Sequence, residues 1–344
     1  MQEFARSVVR WQRRHGRHDL PWQRSRDPYR IWVSEVMLQQ TRVDAVIPYY
    51  ERFLARFPDV QALARAREGE VLGSWSGLGY YARARNLRAA ARRLVAERAG
   101  RFPRAPEALA ALPGVGRSTA AAIAVFAFGR RAAILDGNVR RVLARSFGVG
   151  GFPGHPAVAR RLWSLAEAQL PRRSIRAYTQ GLMDLGAMVC LRTQPRCAQC
   201  PLAPQCVALK EGRIDRIPAP RPKKALPVRV RHWLLRVHRG RVLLERQPSD
   251  GLWGGLWAFP QATQGEFRSV RRALGCERAS VQRLPSFEHG FSHFRLRVHP
   301  LLFRGRAVCG RKRPEQRWIR LADAVRGAVP APVRRLLQTL AGGQ

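Results

Sequence analysis

Hydrophobic residues recur at three- and four-residue spacing through most of the first 215 residues, which is the period of an amphipathic helix. This pattern predicts helices within residues 29–57, 80–99, 156–170 and 174–190. Pro156 opens the third of these segments, and proline suits the first turn of a helix. Strand-like alternation is hard to find in this part of the chain. We therefore predict an all-α domain over residues 1–216.

A stretch rich in proline and basic residues, "IPAPRPKKALP", follows at residues 217–227 and predicts an extended linker. Beyond it the hydrophobic period changes to two, as in strands, at residues 228–237, 241–246 and 294–303. The first two of these segments flank a short "HRG" turn and predict a β-hairpin. Helical spacing returns at residues 266–275 and 331–340. The second domain, residues 228–344, is therefore expected to be smaller and of α+β class.

The net charge of the chain indicates the class of partner that it binds. The chain has 63 Lys and Arg against 23 Asp and Glu, a formal charge of +40. Such a surplus favours a polyanionic partner, above all nucleic acid. A compositional preference for arginine explains the choice of arginine over lysine, but it does not explain the surplus. No apolar run approaches a membrane span and the first residues lack a signal-peptide pattern, so we expect a soluble intracellular protein.

Four of the six cysteines are concentrated in residues 190–206, a loop that reads "CLRTQPRCAQCPLAPQC". Cys190, Cys197, Cys200 and Cys206 are separated by gaps of six, two and five residues. Four thiolates in one short segment can enclose a metal centre, and disulfides are uncommon inside cells. The single C-x-x-C pair favours an iron–sulfur cluster over zinc, although zinc stays open. Cys276 and Cys309 stand apart and are expected to be buried or incidental thiols.

The segment "LPGVGRSTAAAI", residues 112–123, places two glycines before an alanine-rich helix. It predicts a tight turn at residues 113–116 and a helix entered at Ser118 or Thr119. Gly114 and Gly116 would let a phosphate approach the backbone closely, and the free N–H groups of the helix would face it. An ordinary helix–helix turn is the alternative. The charge and the cysteine loop favour a hairpin that grips the DNA backbone.

Two acidic residues lie in apolar surroundings, which raise the pKa of a carboxyl group. Glu35 lies in "WVSEVMLQQT" and Asp136 in "ILDGNVRRVLARSF". Cleavage of a glycosidic bond needs two carboxyl groups in different environments, one to donate a proton and one to stabilise the cationic sugar. The alternative for Asp136 is a helix N-cap.

Several of these motifs together resemble one known family. The motifs are "SEVMLQQT", "GLGYYARARN", "LPGVGRSTA", "ILDGNVRRVLAR", "MDLGAM" and the four-cysteine loop. They resemble the A/G-specific adenine DNA glycosylases, the MutY family of the helix–hairpin–helix superfamily, over residues 22–206. "GLWGGLWAFP" and "FSHF" fit the C-terminal domain of that family. The resemblance implies an all-α helix–hairpin–helix domain with a [4Fe-4S] cluster loop, followed by a Nudix-like domain.

The resemblance also implies roles for single residues. Glu35 would be the general acid that protonates adenine, and Asp136 would stabilise the oxocarbenium-like sugar. Asn138 would help to place the acid or the attacking water. Gln39 and Tyr80 would enter the duplex around the estranged base. The hairpin residues Gly114, Gly116 and Ser118 would bind DNA.

Ser118 also separates close relatives, because glycosylases that nick the strand carry a nucleophilic lysine there. Cys190, Cys197, Cys200 and Cys206 would hold a [4Fe-4S] cluster. Arg192 and Arg196 would face phosphate, although a solvated loop surface is the alternative. Arg140 occupies a position that can be lysine, which puts covalent trapping there in doubt.

In the second domain, Phe291, Ser292 and His293 would detect 8-oxoguanine, whereas an ordinary strand start with a polar cap is the alternative. A Nudix hydrolase needs a run of glutamates for magnesium. The corresponding stretch offers Glu266 and little else that is acidic, and two arginines stand where carboxylates would be needed. We therefore do not expect a pyrophosphohydrolase.

The expected function is a monofunctional DNA glycosylase of base excision repair. It would hydrolyse the N-glycosidic bond of adenine mispaired with 8-oxoguanine or guanine and leave an abasic site. The expected partner is double-stranded DNA with such a mispair, bound by a monomer in the bacterial cytoplasm, with no membrane. An endonuclease III-like lyase is disfavoured by Ser118 and by the C-terminal domain. A non-enzymatic metal-cluster DNA-binding protein is disfavoured by Glu35 and Asp136.

Overall fold

The computed structural model describes residues 3–222, 225–249, 251–277, 279–291, 293–304 and 314–342. The chain divides into two compact units. The first contains Met1–Ala64 and Ala89–Lys223, and the second contains Arg65–Arg88 and Lys224–Gln344. The division near residue 223 falls within the segment predicted as a linker. The inclusion of residues 65–88 in the second unit is not predicted by the sequence.

Residues 3–222 contain helices and no assigned strand, which agrees with the predicted all-α class. The α-helices are α1 (Glu3–His15), α2 (Pro28–Leu38), α3 (Val43–Arg56), α4 (Val60–Arg65), α5 (Glu68–Trp75), α6 (Ala82–Arg98), α7 (Pro106–Ala110), α8 (Arg117–Phe128), α9 (Gly137–Ser146), α10 (Pro156–Ala168), α11 (Ile175–Asp184) and α12 (Val207–Lys210). A π-helical turn, Leu185–Val189, continues α11 up to Cys190. None of the helices in the described ranges is long and apolar enough to span a membrane.

Helix boundaries follow local chemistry. The predicted helical segment at residues 29–57 is two helices, because Gln40 adopts the left-handed conformation between α2 and α3, with φ of 58°. Helix α8 begins at Arg117, one residue before the predicted start, because Gly116 is still extended and serves as the N-cap. Pro156 opens α10 as predicted.

Helix α8 lies at the centre of the first unit and packs against α2, α7 and α11. Its middle consists of small side chains, Ala120–Ala122 and Ala124, which are nearly all withdrawn from solvent. Small side chains let neighbouring helices approach closely. The acidic and glycine-rich motifs on α2, α8 and α9 are thereby held on a packed scaffold.

The C-terminal part of the second unit is α+β, as predicted. Its strands are β1 (Val228–His238), β2 (Arg241–Arg246), β3 (Trp257–Ala258), β4 (Gln261–Ala262), β5 (Ser280–Arg283), β6 (Phe287–Gly290), β7 (Arg295–Arg304) and β8 (Gln316–Arg320). Its helices are α13 (Phe267–Ala273), α14 (Leu321–Arg326) and α15 (Ala331–Gly342).

Strand β1 is central: it pairs with β7 in parallel and with β2 and β4 in antiparallel fashion. The predicted hairpin is present, and Arg239 and Gly240 form its turn with φ of 47° and 68°. The alternation of β1 places Trp233 and Leu235 in a core with Phe259 and Phe294. Cys276 is buried, and Cys309 lies outside the described residues.

Candidate active site

Glu35 is positioned by helix α2. Asp27 caps this helix, and its carboxylate accepts a hydrogen bond from the Tyr29 N–H at 2.9 Å, while Pro28 occupies the first turn. The flanking residues Ser34 and Val36 are buried. Glu35 itself is half-buried and lines a cavity of about 310 Å³ in the first unit.

Asp136 caps helix α9, so the predicted N-cap role is real. Its Oδ1 accepts a hydrogen bond from the Val139 N–H at 2.7 Å. Asp136 is not among the residues that line the Glu35 cavity. The two carboxyl groups nevertheless lie close enough for the charge of Asp136 to raise the pKa of Glu35. Asp136 can therefore cap α9 and also act on the charge state of Glu35.

The environments of the two carboxyl groups differ. Burial, and secondarily the charge of Asp136, raises the pKa of Glu35 to about 8. Burial also raises the pKa of Asp136, but backbone hydrogen bonds from Val139 and Asn138 and the charges of Arg141 and Arg140 oppose this rise. For Glu35, burial and the charge of Asp136 act in the same direction, and both raise its pKa. The arrangement therefore favours a protonated Glu35 near neutral pH, and it gives Asp136 hydrogen bonds and positive charges that stabilise its ionised form.

Asn138 is held against the turn that precedes the cysteine loop. Its Oδ1 accepts a hydrogen bond from Arg141 Nη2 at 2.9 Å, and the same nitrogen donates to the Gly186 carbonyl at 2.6 Å. A Cβ atom at Gly186 would lie 2.5 Å from the Asn138 Cβ, so only glycine fits there. This close approach explains the glycine of the "MDLGAM" motif. Arg141, which sequence reasoning did not single out, also donates from Nε to the Cys190 carbonyl at 2.6 Å.

Ser118 is directed towards the Asp136 segment. Its Oγ accepts a hydrogen bond from the Leu135 N–H at 3.0 Å, so this side chain supports the residue next to Asp136. The hairpin before it has the predicted geometry: Gly114 adopts φ of 75°, and Gly116 is extended at the N-terminus of α8. A Cβ atom at Gly116 would meet no atom within 4 Å. The glycine is therefore not required by packing within the first unit.

Gln39 belongs to the first unit and Tyr80 to the second. Gln39 is the C-cap of α2, and its Nε2 donates to Thr119 Oγ1 at 3.2 Å. This bond links the end of α2 to the first turn of α8. Tyr80 lies in the second unit with 52% of its surface exposed and φ of 49°.

Arg17 and Gln180 line the Glu35 cavity, and both bond a buried carboxylate that sequence reasoning missed. Asp184 is fully buried and bonds Arg17 through the backbone N–H at 3.0 Å and the guanidinium Nη2 at 2.6 Å. Gln180 Nε2 also donates to Asp184, at 3.0 Å. The only signal in the sequence was an acid in the otherwise apolar "GLMDLG". Because breaking a buried pair leaves an uncompensated charge, this network fixes the cavity wall.

The four cysteines line a second cavity in the first unit, together with Val142, Leu185 and Leu202. Burial raises the pKa of Cys200 to about 11, and it also raises the pKa values of Cys197 and Cys206. In the described part of the chain, no group of three or more His, Cys, Asp or Glu side chains is arranged to hold a single metal ion. The shared cavity brings all four predicted thiols to one place.

Arg145 lies beside these thiols and was not predicted. It is buried, and its Nη1 lies 3.4 Å from Cys190 Sγ. The guanidinium also donates to the carbonyls of Leu191, Arg192 and Ile217 at 2.6, 3.1 and 2.8 Å. A buried cation beside four thiols suits a set of anionic thiolates, so the residues fit a metal–sulfur centre. The side chains of Arg192 and Arg196 are exposed on the loop.

Phe291 and His293, two of the three residues expected to detect 8-oxoguanine, lie between β6 and β7. The Phe291 N–H donates to the Phe294 carbonyl at 2.9 Å, which closes the turn. Phe291 packs on Phe294, with ring centroids 4.6 Å apart, and on Trp253. His293 is exposed, and Ser292 lies outside the described residues. Phe294, which was not singled out from the sequence, anchors the turn in the core.

Glu266 lies just before α13, the helix in which a Nudix hydrolase would carry its acids. It caps the preceding turn by accepting from the Thr263 N–H at 3.0 Å and Oγ1 at 2.7 Å. On α13, Arg271 bonds the carbonyl of Cys276 and Arg272 bonds Glu277. These contacts give Glu266 and both arginines structural partners.

Comparison with known proteins identifies the family. The HhH-GPD superfamily of base excision DNA repair proteins matches residues 33–168, and the NUDIX domain family matches residues 231–339. The adenine DNA glycosylase of Buchnera aphidicola is 33% identical over 343 residues, which is 97% of each chain. The chain belongs to the adenine DNA glycosylase family. The human adenine DNA glycosylase is also 33% identical, over 99% of this chain and 74% of that protein.

The adenine DNA glycosylase family accounts for both units, because the alignment spans the helical domain and the C-terminal domain. The structure of a thermostable thymine-DNA glycosylase is 30% identical in sequence with a TM-score of 0.55, and covers 60% of this chain and 95% of that one. The predicted helix–hairpin–helix domain followed by a Nudix-like domain is therefore confirmed. This member of the adenine DNA glycosylase family is an enzyme of base excision repair.

Proposed function

We propose that this chain hydrolyses the N-glycosidic bond of adenine mispaired with 8-oxoguanine or guanine and leaves an abasic site. The observation that carries the proposal is the pair of carboxyl groups, Glu35 and Asp136, held near each other in different environments. The cavity of about 310 Å³ beside Glu35 has the size class of a small-molecule pocket. It would receive an adenine flipped out of the duplex, because the glycosidic bond is out of reach in a stacked helix.

The chemistry follows from the protonation states. Glu35 carries a proton at neutral pH and donates it to the adenine ring, so that adenine leaves as a neutral base when the bond to the sugar breaks. Positive charge develops on the sugar, and ionised Asp136 stabilises it. Water then adds to the sugar carbon and passes its extra proton to the solvent, from which the Glu35 carboxylate is reprotonated. Ser118 offers no amine for a Schiff base, so the strand stays intact.

A duplex oligonucleotide assay tests the proposal. Duplexes with adenine opposite 8-oxoguanine, guanine or thymine are incubated with excess enzyme, and products are resolved before and after alkali. Adenine opposite 8-oxoguanine or guanine should be released, with strand breaks only after alkali. Release from the thymine pair at the same rate, or breaks without alkali, would contradict the proposal. The ratio of the first two single-turnover rates measures the preference for 8-oxoguanine.

Asp136→Asn separates the catalytic role of Asp136 from its capping role. Asparagine caps helices about as well as aspartate, so folding and DNA binding should be retained. Loss of the charge should lower the excision rate by about a hundredfold or more, the usual effect of removing one group that stabilises transition-state charge. Asp27→Asn, the same change in the N-cap of α2, is the matched control and should leave excision unchanged. Excision at the wild-type rate in Asp136→Asn would remove Asp136 from the mechanism.

We propose further that Cys190, Cys197, Cys200 and Cys206 hold a [4Fe-4S] cluster. The support is the cavity that all four line and the buried Arg145 beside Cys190. A bound cluster would cross-link residues 190–206 and hold the four cysteines as thiolates. No step of the excision depends on it.

Metal analysis of the purified protein tests the cluster. We expect about four iron and four acid-labile sulfide per chain, the composition of a [4Fe-4S] cluster, and a broad visible absorption. Cys200→Ser should lose this absorption, whereas Cys276→Ser, a buried cysteine of the second unit, should retain it. A colourless protein with one zinc per chain would favour the zinc alternative instead.

A further inference from the structure

Tyr80 is held in a conformation that a tyrosine does not adopt without support. Its φ of 49° lies in the left-handed region, which is sterically unfavourable for a residue with a side chain. Gly77 and Gly79, with φ of 113° and 74°, form the same loop. More than half of the Tyr80 surface is exposed. Contacts elsewhere in the second unit must therefore stabilise this loop.

The first support is local. Arg83 is buried, and its Nη2 donates to the carbonyls of Leu78 and Gly79 at 3.3 and 3.1 Å. Its guanidinium carbon lies 5.6 Å from the centre of the Tyr80 ring and 5.4 Å from that of Trp75. Trp75 Nε1 donates to the same Gly79 carbonyl at 3.2 Å. Arg83 and Trp75 thus support the Tyr80 loop through hydrogen bonds to its carbonyls, and Arg83 also contacts the tyrosine ring.

The second support comes from the C-terminal end of the chain. Ser76 Oγ accepts a hydrogen bond from Arg334 Nη2 at 2.6 Å and donates one to the Val329 carbonyl at 2.8 Å. The Arg334 guanidinium also donates to the carbonyls of Val325 and Gly327 at 2.6 and 3.0 Å. Arg334 belongs to α15 and Ser76 begins the Tyr80 loop. One guanidinium therefore links the loop to the segment between α14 and α15.

Two further contacts join the helices on either side of the Tyr80 loop to the C-terminal domain. Arg85 Nη1, one turn into α6, donates to the Gly254 carbonyl at 2.7 Å. Glu68 at the start of α5 pairs with Arg246 of β2 at 3.6 Å. The Tyr80 loop is thus bonded to the C-terminal domain on both sides, at α5 and at α6. These bonds explain why residues 65–88 group with residues 224–344.

We propose that Ser76 and Arg334 are positioning residues for Tyr80, so that the C-terminal domain sets the shape of the loop that enters DNA. This inference rests on the proposed function and on the role that the resemblance implies for Tyr80, which is to enter the duplex around the estranged base. The charged hydrogen bond from Arg334 to Ser76 fixes the loop at its first residue, and Arg83 fixes it under the ring. Loss of the Arg334–Ser76 hydrogen bond, or of the support from Arg83, should leave the catalytic acids intact and weaken the opening of the base stack.

The test combines single substitutions with the removal of Tyr80 itself. Arg334→Ala and Ser76→Ala should each slow single-turnover excision opposite 8-oxoguanine by roughly tenfold, the factor that about 1.4 kcal/mol of lost stabilisation produces. The double variant should be slowed by clearly less than the product of the two single effects, because both substitutions remove the bond from Arg334 to Ser76. In a Tyr80→Ala background, Arg334→Ala should cause no further loss. Arg326→Ala, which removes an equal charge from an exposed position on α14, should have no effect in either background.

Two additional readouts make the result decisive. The fluorescence of 2-aminopurine beside the mispair should rise on binding of the wild type and rise less with Arg334→Ala. Thermal midpoints identify any variant that is merely unfolded. If Arg334→Ala is unfolded, Ser76→Ala takes its place as the test variant. An equal loss with and without Tyr80, or no loss at all, would overturn the inference. A wild type that releases no adenine would instead overturn the proposed function.

Discussion

Glu35 makes the stability of the first unit depend on pH. The folded state raises the pKa of this carboxyl group from 4.5 to about 8, so between these values the folded chain holds a proton that the unfolded chain has lost. Stability contributed by this group is therefore complete below pH 4.5 and is lost as the pH rises through 8. The property that makes Glu35 an acid at neutral pH is the same one that destabilises the fold in base.

Glu35→Gln should separate these two consequences. Glutamine keeps the shape and cannot ionise, so the variant should melt at the wild-type temperature at pH 5 and at a higher temperature at pH 8.5 or above. Excision should be lost at every pH, because glutamine cannot donate the proton. Wild-type excision should fall as the pH rises through 8. Thermal melting and single-turnover rates over this pH range measure both effects. A pH-independent difference in melting temperature would show that Glu35 does not titrate as proposed.

Ser118→Lys tests the reason for an intact strand. A lysine amine in this position should form a Schiff base with the sugar, which borohydride reduction would trap as a covalent complex. The variant should also release adenine more slowly, because the Leu135 N–H loses its acceptor beside Asp136. Ser118→Ala removes the acceptor without adding an amine and is the control for this slower rate. If the wild type itself is trapped efficiently, the chain is a lyase.

The hairpin between α7 and α8 provides a prediction about an element. Gly116 is extended and a Cβ atom there would meet no protein atom, so Gly116→Ala should not change the thermal midpoint. If the backbone contacts phosphate, the added methyl group should lower DNA affinity by several-fold, since it would stand where the phosphate approaches. Gly150→Ala, which also meets open space, is the control. Unchanged affinity in Gly116→Ala would favour the ordinary helix–helix turn.

The spacing of hydrophobic residues predicted most of the helices and strands, because this spacing depends only on neighbours within one helix or strand. The spacing around Glu35, the alternation of β1 and the cap at Asp136 are all local signals. The hydrogen bond from Arg334 to Ser76, which supports the Tyr80 loop, joins residues 258 positions apart in the sequence, and neither residue has a local signature. The ion pair of Arg17 with Asp184 was missed for the same reason. The apolar surroundings and the resemblance both predicted Glu35 and Asp136 as candidates, but the groups that oppose the effect of burial on the pKa of Asp136 are visible only in the three-dimensional structure.

At the scale of the whole molecule, the charge of +40 acts on DNA in two ways that experiment can separate. The long-range field attracts any duplex, and one arginine removed from so many changes it little. An arginine in contact with phosphate instead releases a counterion, which changes the slope of log K against log salt by roughly 0.9. The exposed Arg192 and Arg196 are the candidates for such contacts.

Salt dependence therefore decides between phosphate contact and a solvated loop surface. Arg192→Ala and Arg196→Ala should each make the slope shallower by about 0.9 and weaken binding equally for matched and mispaired duplexes, because phosphates carry no sequence information. Arg98→Ala removes the same charge from an exposed position at the end of α6 and should leave the slope unchanged. Fluorescence anisotropy titrations between 50 and 200 mM salt, roughly the range over which such contacts change affinity most visibly, measure the slopes. Equal slopes for all three variants would assign Arg192 and Arg196 to the general field, and DNA contact would then have to come from the hairpin and other basic surfaces.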